Sequence, residues 1–185
     1  MIIGLSGSAG VGKDTVAKFL VRNHCFEAIA LADPMKTFCR MVFGWGNEEL
    51  HGKLKETPIA ALGGLTPRRA LQELGTGWGR ACYPDVWVEY AMRQARARLA
   101  FYKSDGVVVT DVRFANELAA IRKASGQVWR IVRADRNNAL TGAAAQHVSE
   151  TELTDDMPYD RVLNTTGLSL TETEALVARI ITGRS

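Results

Sequence analysis

The 185-residue sequence predicts one α/β domain of three layers, α/β/α, built on a mainly parallel five-stranded sheet. Three observations carry that expectation. Short apolar or β-branched runs at 2–5, 28–31, 107–110, 128–132 and 161–164 alternate with longer segments whose apolar residues recur at helical spacing. The run Val107, Val108, Val109 and Thr110 is continuous, as a strand covered on both faces must be. The first run passes through a glycine-rich turn directly into a helix.

In that opening stretch, Ile2, Ile3 and Leu5 make the strand, residues 7–12 the turn, and Val16, Ala17, Leu20 and Val21 the buried face of the helix. The turn reads Gly7, Ser8, Ala9, Gly10, Val11, Gly12 and then Lys13, which is a phosphate-binding P-loop spacing. Glycines let the backbone N–H groups converge on phosphate oxygens, and the following helix points its positive end at the same place. Lys13 adds a mobile charge for the outer phosphates. The usual pattern then has Ser or Thr, whose hydroxyl reaches Mg²⁺, whereas this chain has Asp14 followed by Thr15. Two roles stay open for Asp14: holding the metal through water, or favouring the helix N-terminus. Thr15 keeps a hydroxyl near the inner phosphates.

Asp33-Pro34 opens a second helix with Met35, Phe38, Cys39 and Val42 on one face, closed by Gly44. Capping is the favoured role for Asp33, with metal or substrate contact at the end of a strand as the other. Lys36 and Arg40 read as solvated charges, with phosphate contact as the sharper alternative. Residues 44–67, punctuated by glycines, read as a mobile insert. Thr66-Pro67 then starts a helix with a core stripe of Leu71, Leu74 and Trp78. Arg68, Gln72 and Thr76 recur every four residues beside it, with Arg69 alongside. That row of donors suits a phosphate and a base edge, or is a wet helix face. Gly75, Gly77 and Gly79 lower helix propensity and suggest a backbone that is bent or closely approached. Asp85 is placed to cap the next helix, whose apolar face is Val88, Ala91, Met92, Ala95, Leu99 and Tyr102. Glu89 and Arg93 can pair outside it, and Trp87 is rim packing or an aromatic plane for a base.

Asp111 stands at the carboxyl end of the valine strand, where P-loop proteins place the carboxylate that holds the water shell of Mg²⁺. Arg113 and Glu117 pair at i, i+4, or present an arginine to a transferred phosphate. Phe114, Leu118 and Ile121 bury the helix that Gly126 ends. After the strand at 128–132, residues 133–151 lack a strong period and suit a lid, with Arg133 and Arg136 as phosphate clamps and His147 as a closing contact. A solvated loop is the alternative. Ser169 and Glu172 form a capping box before Leu176, Val177, Ile180 and Ile181.

The net charge of +3 is too small and dispersed to argue for a nucleic-acid groove. Three cysteines without a CxxC suggest neither a disulfide framework nor a zinc site, and fit a reducing cytoplasm. No signal peptide is read, and no apolar run approaches the ~20 residues of a membrane span. The length suits a single domain, and a homodimer is left open.

Taken together, GKDT at 12–15, LADPMK at 31–36, RRALQELGT at 68–76, Trp87, DVRFANE at 111–117 and HVSE at 147–150 resemble the bacteriophage-type deoxynucleoside monophosphate kinases, which are P-loop nucleoside monophosphate kinase-like enzymes. The resemblance implies a single kinase domain with a helical monophosphate-binding region at 44–103 and a lid at 133–151, working in the host cytoplasm if phage-encoded. Its implied reaction is ATP + dNMP = ADP + dNDP. Residues 7–13 and Thr15 would bind ATP with Arg133 and Arg136 from the lid, and Asp14 and Asp111 would flank Mg²⁺. Asp33, Lys36, Arg68, Arg69, Gln72, Gly75, Thr76 and Trp87 would serve the monophosphate. Lys13, Asp111 and Arg113 would act at the transfer site, with Glu117 orienting it.

Two rivals are separable. A hydroxyl-acceptor kinase such as dephospho-CoA kinase would need Asp33 as general base, since a hydroxyl must lose its proton. A slow nucleotide-binding switch of the guanine-specific kind would need NKxD, which is absent, and DxxG where Asp111-Val112-Arg113-Phe114 stands.

Overall fold

A strand that is apolar on both faces must be sandwiched, and β3 (Gly106–Thr110) is buried along its whole length. The computed structural model describes residues 1–101, 104–134 and 147–183. In it β1 (Ile2–Ser6), β2 (Phe26–Ala30), β3, β4 (Gln127–Val132) and β5 (Arg161–Asn164) form one sheet in the order β2-β3-β1-β4-β5, with every neighbouring pair parallel. β1 connects past β3 to β2 and β3 connects past β1 to β4, so the chain leaves the carboxyl ends of these neighbouring strands in opposite directions and opens a crevice there.

Side chains alternate across the pleat, and the sheet has two cores. On one face Ile2, Val107 and Val109 pack with Val88, Met92 and Ala95 of α5 (Val86–Phe101) and Leu118 and Ile121 of α6 (Ala115–Lys123). On the other, Ile3, Leu5, Val108 and Trp129 pack with Val16 and Leu20 of α1 (Lys13–Asn23) and Val177 of α8 (Leu170–Thr182). The three layers expected from the sequence are therefore present. Ser169 and Glu172 cap α8 reciprocally, as their spacing requires.

A third cluster belongs to the insert. Met35 and Cys39 of α2 (Asp33–Phe43), Trp45, Leu50 of α3 (Asn47–Leu50) and Leu71 of α4 (Pro67–Gln72) are buried together. The insert also carries 3₁₀ turns at Lys53–Glu56 and Ala60–Leu62, and a bridge joins Ile59 to Leu65. The segment read as a mobile insert thus contributes Trp45 and Leu50 to a small core shared with α2 and α4.

Other differences have local causes. β2 begins two residues before the expected run because Phe26 pairs with Gly106. Phe38 and Val42 are exposed, as the insert covers only the Met35 and Cys39 side of α2. Past Gln72 the helix continues as a π segment, Glu73–Arg80, whose buried residues, Gly75 and Gly79, follow Leu71 at intervals of four. Gly79 therefore takes the buried place expected of Trp78, which is 59% exposed. α6 ends through Ser125 at φ 56 rather than through Gly126. Cys25, Cys39 and Cys82 are free, and no helix among the described residues is long and apolar enough to cross a membrane.

Candidate active site

The loop after β1 is built by backbone conformations that side chains resist. Gly12 has φ 106 and precedes α1 directly, and a Cβ on Gly7, at φ 144, would stand 2.6 Å from the Ile131 carbonyl oxygen. Lys13 is buried and donates through Nζ to the Gly7 and Ser8 carbonyls, each at 2.9 Å. Asp14 is exposed in the first turn of α1, and Thr15 is half-buried behind it.

Asp111 follows β3 with φ 62, a left-handed conformation that bends the chain away from the sheet. Its Oδ1 lies 3.9 Å from Lys13 Nζ and 3.5 Å from Arg113 Nη2. Burial raises the Asp111 carboxyl, but Arg113, Lys13, Lys36 and Lys55 outweigh it and hold the pKa below the usual carboxylate value. The sequence-predicted pair of lysine and carboxylate therefore meets in space.

From Asp111 a cavity extends toward the insert. Its wall takes Lys36 from α2, Arg68 and Gln72 from α4, and Gly75 and Thr76 from the π segment, with Trp87 from α5 and Arg113 and Glu117 beyond β3. The row Arg68, Gln72, Thr76 does face one space, and Gln72 Nε2 is buried without a hydrogen-bond partner. The glycines are closely approached, as their cost implied. A Cβ on Gly79 would stand 2.3 Å from the Trp87 ring, whose Nε1 donates to the Gly75 carbonyl at 2.8 Å.

Glu117 does not pair with the Arg113 side chain. Its Oε2 accepts from the backbone N–H groups of Arg113 at 2.8 Å and Phe114 at 3.2 Å, the backward half of a capping box at the start of α6. The Arg113 guanidinium instead faces Asp111 and donates to the Ser149 carbonyl at 3.2 Å. Burial pushes the Glu117 pKa up to about 7, against the lowering effect of those backbone bonds and of Arg80. Arg80 donates to Glu117 Oε1 at 3.4 Å and to Asn116 Oδ1 at 2.7 Å, with its guanidinium 3.7 Å from the Phe114 ring centre.

Several candidates lie elsewhere. Arg69 is exposed beside Glu73, at 3.9 Å, and is not on the cavity wall. Asp33 neither caps α2 nor lines the cavity: the helix begins one residue early, at an Ala32 N-cap, and Asp33 Oδ2 accepts from Ala30 N–H at 3.2 Å. Asp85 accepts from Asn116 Nδ2 at 2.6 Å, and Glu89 accepts from the Tyr83 hydroxyl at 2.7 Å instead of pairing with Arg93. Arg133 donates to the Leu168 carbonyl at 3.1 Å. His147 caps α7 (Val148–Thr151) through Nδ1. Arg136, Tyr102 and most of the expected lid lie outside the described residues.

Two wall residues had no signal in the sequence. Arg80 follows three glycines that hide the helix continuing through them, and Lys55 sits in an aperiodic turn. Burial, then Arg68 and Lys36, push the Lys55 pKa down to about 8.

No protein-family model matches the chain. An Acanthamoeba polyphaga mimivirus protein named "Putative deoxynucleotide monophosphate kinase" is 32% identical over 173 residues, spanning 88% of this chain and 87% of its own. Among solved structures, TT1252 from Thermus thermophilus superposes with a TM-score of 0.55 at 17% identity, over 100% of this chain and 98% of its own. Shikimate kinase from Aquifex aeolicus does so with a TM-score of 0.54 at 13% identity, over 99% and 97%. At such identities the structural likeness is one of fold.

Proposed function

The chain belongs to the deoxynucleotide monophosphate kinase family and is a nucleotide kinase, and from that premise we propose that it transfers the γ-phosphoryl group of ATP to a deoxynucleoside 5′-monophosphate, giving ADP and the diphosphate. The observation that carries this reading is Asp111, which lies 3.9 Å from the loop lysine and also stands on the wall of the cavity that holds Lys36, Arg68, Gln72 and Thr76. One carboxylate thus joins a triphosphate cradle to a second, donor-lined space.

In this reading the N–H groups of the loop take the ATP phosphates and Lys13 exchanges its carbonyl partners for them. Asp111, aided by Asp14, would hold Mg²⁺, and the Thr15 hydroxyl would reach the inner phosphates. The donor set fits: an ionised carboxylate stands beside the cradle, and Mg²⁺ takes few protein ligands and completes its shell with water and phosphate. When bound, the ion neutralises charge on the donor oxygens. Arg68, Gln72, Gly75, Thr76 and Trp87 position the monophosphate, and Arg113 meets the charge that builds on the transferred group. The helical region at 44–103 would serve the acceptor, and Arg133 and Arg136 of the expected lid, most of which lies outside the described residues, would meet the ATP phosphates.

An acceptor phosphate is already ionised at neutral pH, so the site needs no general base, and among the described residues both carboxylates on the cavity wall, Asp111 and Glu117, are engaged by cations. Asp33 is off the wall, and Glu117 is held by two N–H groups and Arg80. Both facts weigh against a hydroxyl acceptor. A coupled assay of ADP release across the deoxy- and ribonucleoside monophosphates tests the proposal. Turnover dependent on a deoxynucleoside monophosphate is expected, and ADP release indifferent to every monophosphate would overturn it.

A further inference from the structure

Lys55 lies in the 3₁₀ turn Lys53–Glu56, inside the insert and outside every motif of the sequence. The next residue fixes where that turn sits. Glu56 Oε1 pairs with Arg68 Nε at the start of α4, tying the turn to the acceptor side of the cavity. Lys55 is thereby half-buried on the same wall as Lys36, Arg68 and Arg113.

The charges on that wall do not balance. Among the described residues of that wall, Lys36, Lys55, Arg68, Arg80 and Arg113 face two carboxylates, Asp111 and Glu117. Glu117 is paired with Arg80, and Asp111 is shared by Lys13 and Arg113. Arg68 is paired with Glu56, so the surplus left for an anionic ligand to neutralise is at Lys36 and Lys55, and burial, then Arg68 and Lys36, disfavour the Lys55 charge.

We propose that Lys55 is a binding residue for the 5′-phosphate of the acceptor, so that the insert completes the monophosphate site rather than merely bordering it. The assignment rests on the kinase reading given above. An ammonium on a flexible stem can follow the phosphate as it becomes the α-phosphate of the diphosphate, while the Arg68 fork is fixed by Glu56.

The test compares wild type, K55M, K55Q, K55R and, as a control on the same turn, K53Q, whose lysine is exposed and off the wall. Steady-state kinetics and calorimetric titration use each deoxynucleoside 5′-monophosphate that wild type phosphorylates and the matching deoxynucleoside without phosphate, with thermal unfolding recorded for every variant. K55M and K55Q should raise KM and Kd for the monophosphate tenfold or more, leave the KM for ATP and the Kd of the deoxynucleoside within twofold, and be largely rescued in K55R. K53Q should match wild type. An unchanged monophosphate KM in K55M, an equal loss of deoxynucleoside binding, or an unfolded K55M together with a folded K55R that recovers nothing would each overturn the assignment. A wild type that phosphorylates no monophosphate removes the kinase reading and this inference together, whereas an active wild type with an unaffected K55M removes only the inference.

Discussion

Replacing Glu117 by glutamine should change how stability depends on pH, in a direction set by burial. Glu117 is 3% exposed, and its pKa rises from an ordinary 4.5 to about 7. The folded state therefore binds the proton more tightly than the unfolded chain. Stability from this group is complete below pH 4.5 and is lost as pH climbs to 7, at about 1.4 kcal/mol per pH unit within that window. From pH 5 to pH 8 the loss comes to about 2.5 kcal/mol. The substituted amide would keep an acceptor for the Arg113 and Phe114 N–H groups but would carry no charge to desolvate. Urea unfolding of both proteins at pH 5, 6, 7 and 8 isolates the effect, because every other titrating group cancels in the difference. Relative to wild type, E117Q should gain about 2.5 kcal/mol across the range, most of it below pH 7. A difference that stays constant with pH would refute the claim that Glu117 is held in a desolvated place, and with it the account of Arg80 as its compensating partner.

Other substitutions probe the remaining parts. D111N should lower kcat by about 100-fold or more and raise the Mg²⁺ concentration needed for half-maximal rate, measured by steady-state kinetics with Mg²⁺ varied. G79A places a methyl 2.3 Å from the Trp87 ring, so overpacking of about 1–3 kcal/mol outweighs the helix gain of about 1 kcal/mol. Its thermal midpoint should fall by a few degrees and its monophosphate KM should rise, because Trp87 lines the cavity. D33N should change kcat less than about threefold, as expected of a carboxylate that only accepts from Ala30 N–H; a loss near 1,000-fold would restore the hydroxyl-acceptor reading.

The parts legible in the sequence are those whose local rule also governs the tertiary structure. A buried valine strand and a loop of glycines before a lysine each have one compatible geometry, so the meeting of Lys13 and Asp111 follows from both. The Arg68, Gln72, Thr76 row holds because steps of four stay on one face through α4 and into the π segment. The core stripe is hidden because its members after Leu71 are glycines: steps of four from Leu71 reach the buried Gly75 and Gly79, whereas the apolar Trp78 is exposed. The role of Asp33 turns on one residue of helix start, enough to send its carboxylate backward. Arg80 and Lys55 belong to segments placed by ion pairs and ring packing between distant residues, which no local pattern encodes.

The insert's cluster around Trp45 and Leu50 is distinct from the two clusters on the sheet, and Trp87 packs against both it and the α5 face. On the proposed function, changes that retune which acceptor fits can therefore accumulate in the insert without eroding the residues proposed to handle the triphosphate. The indole is the seam between these halves, so drift on one side reaches the other mainly through a single ring.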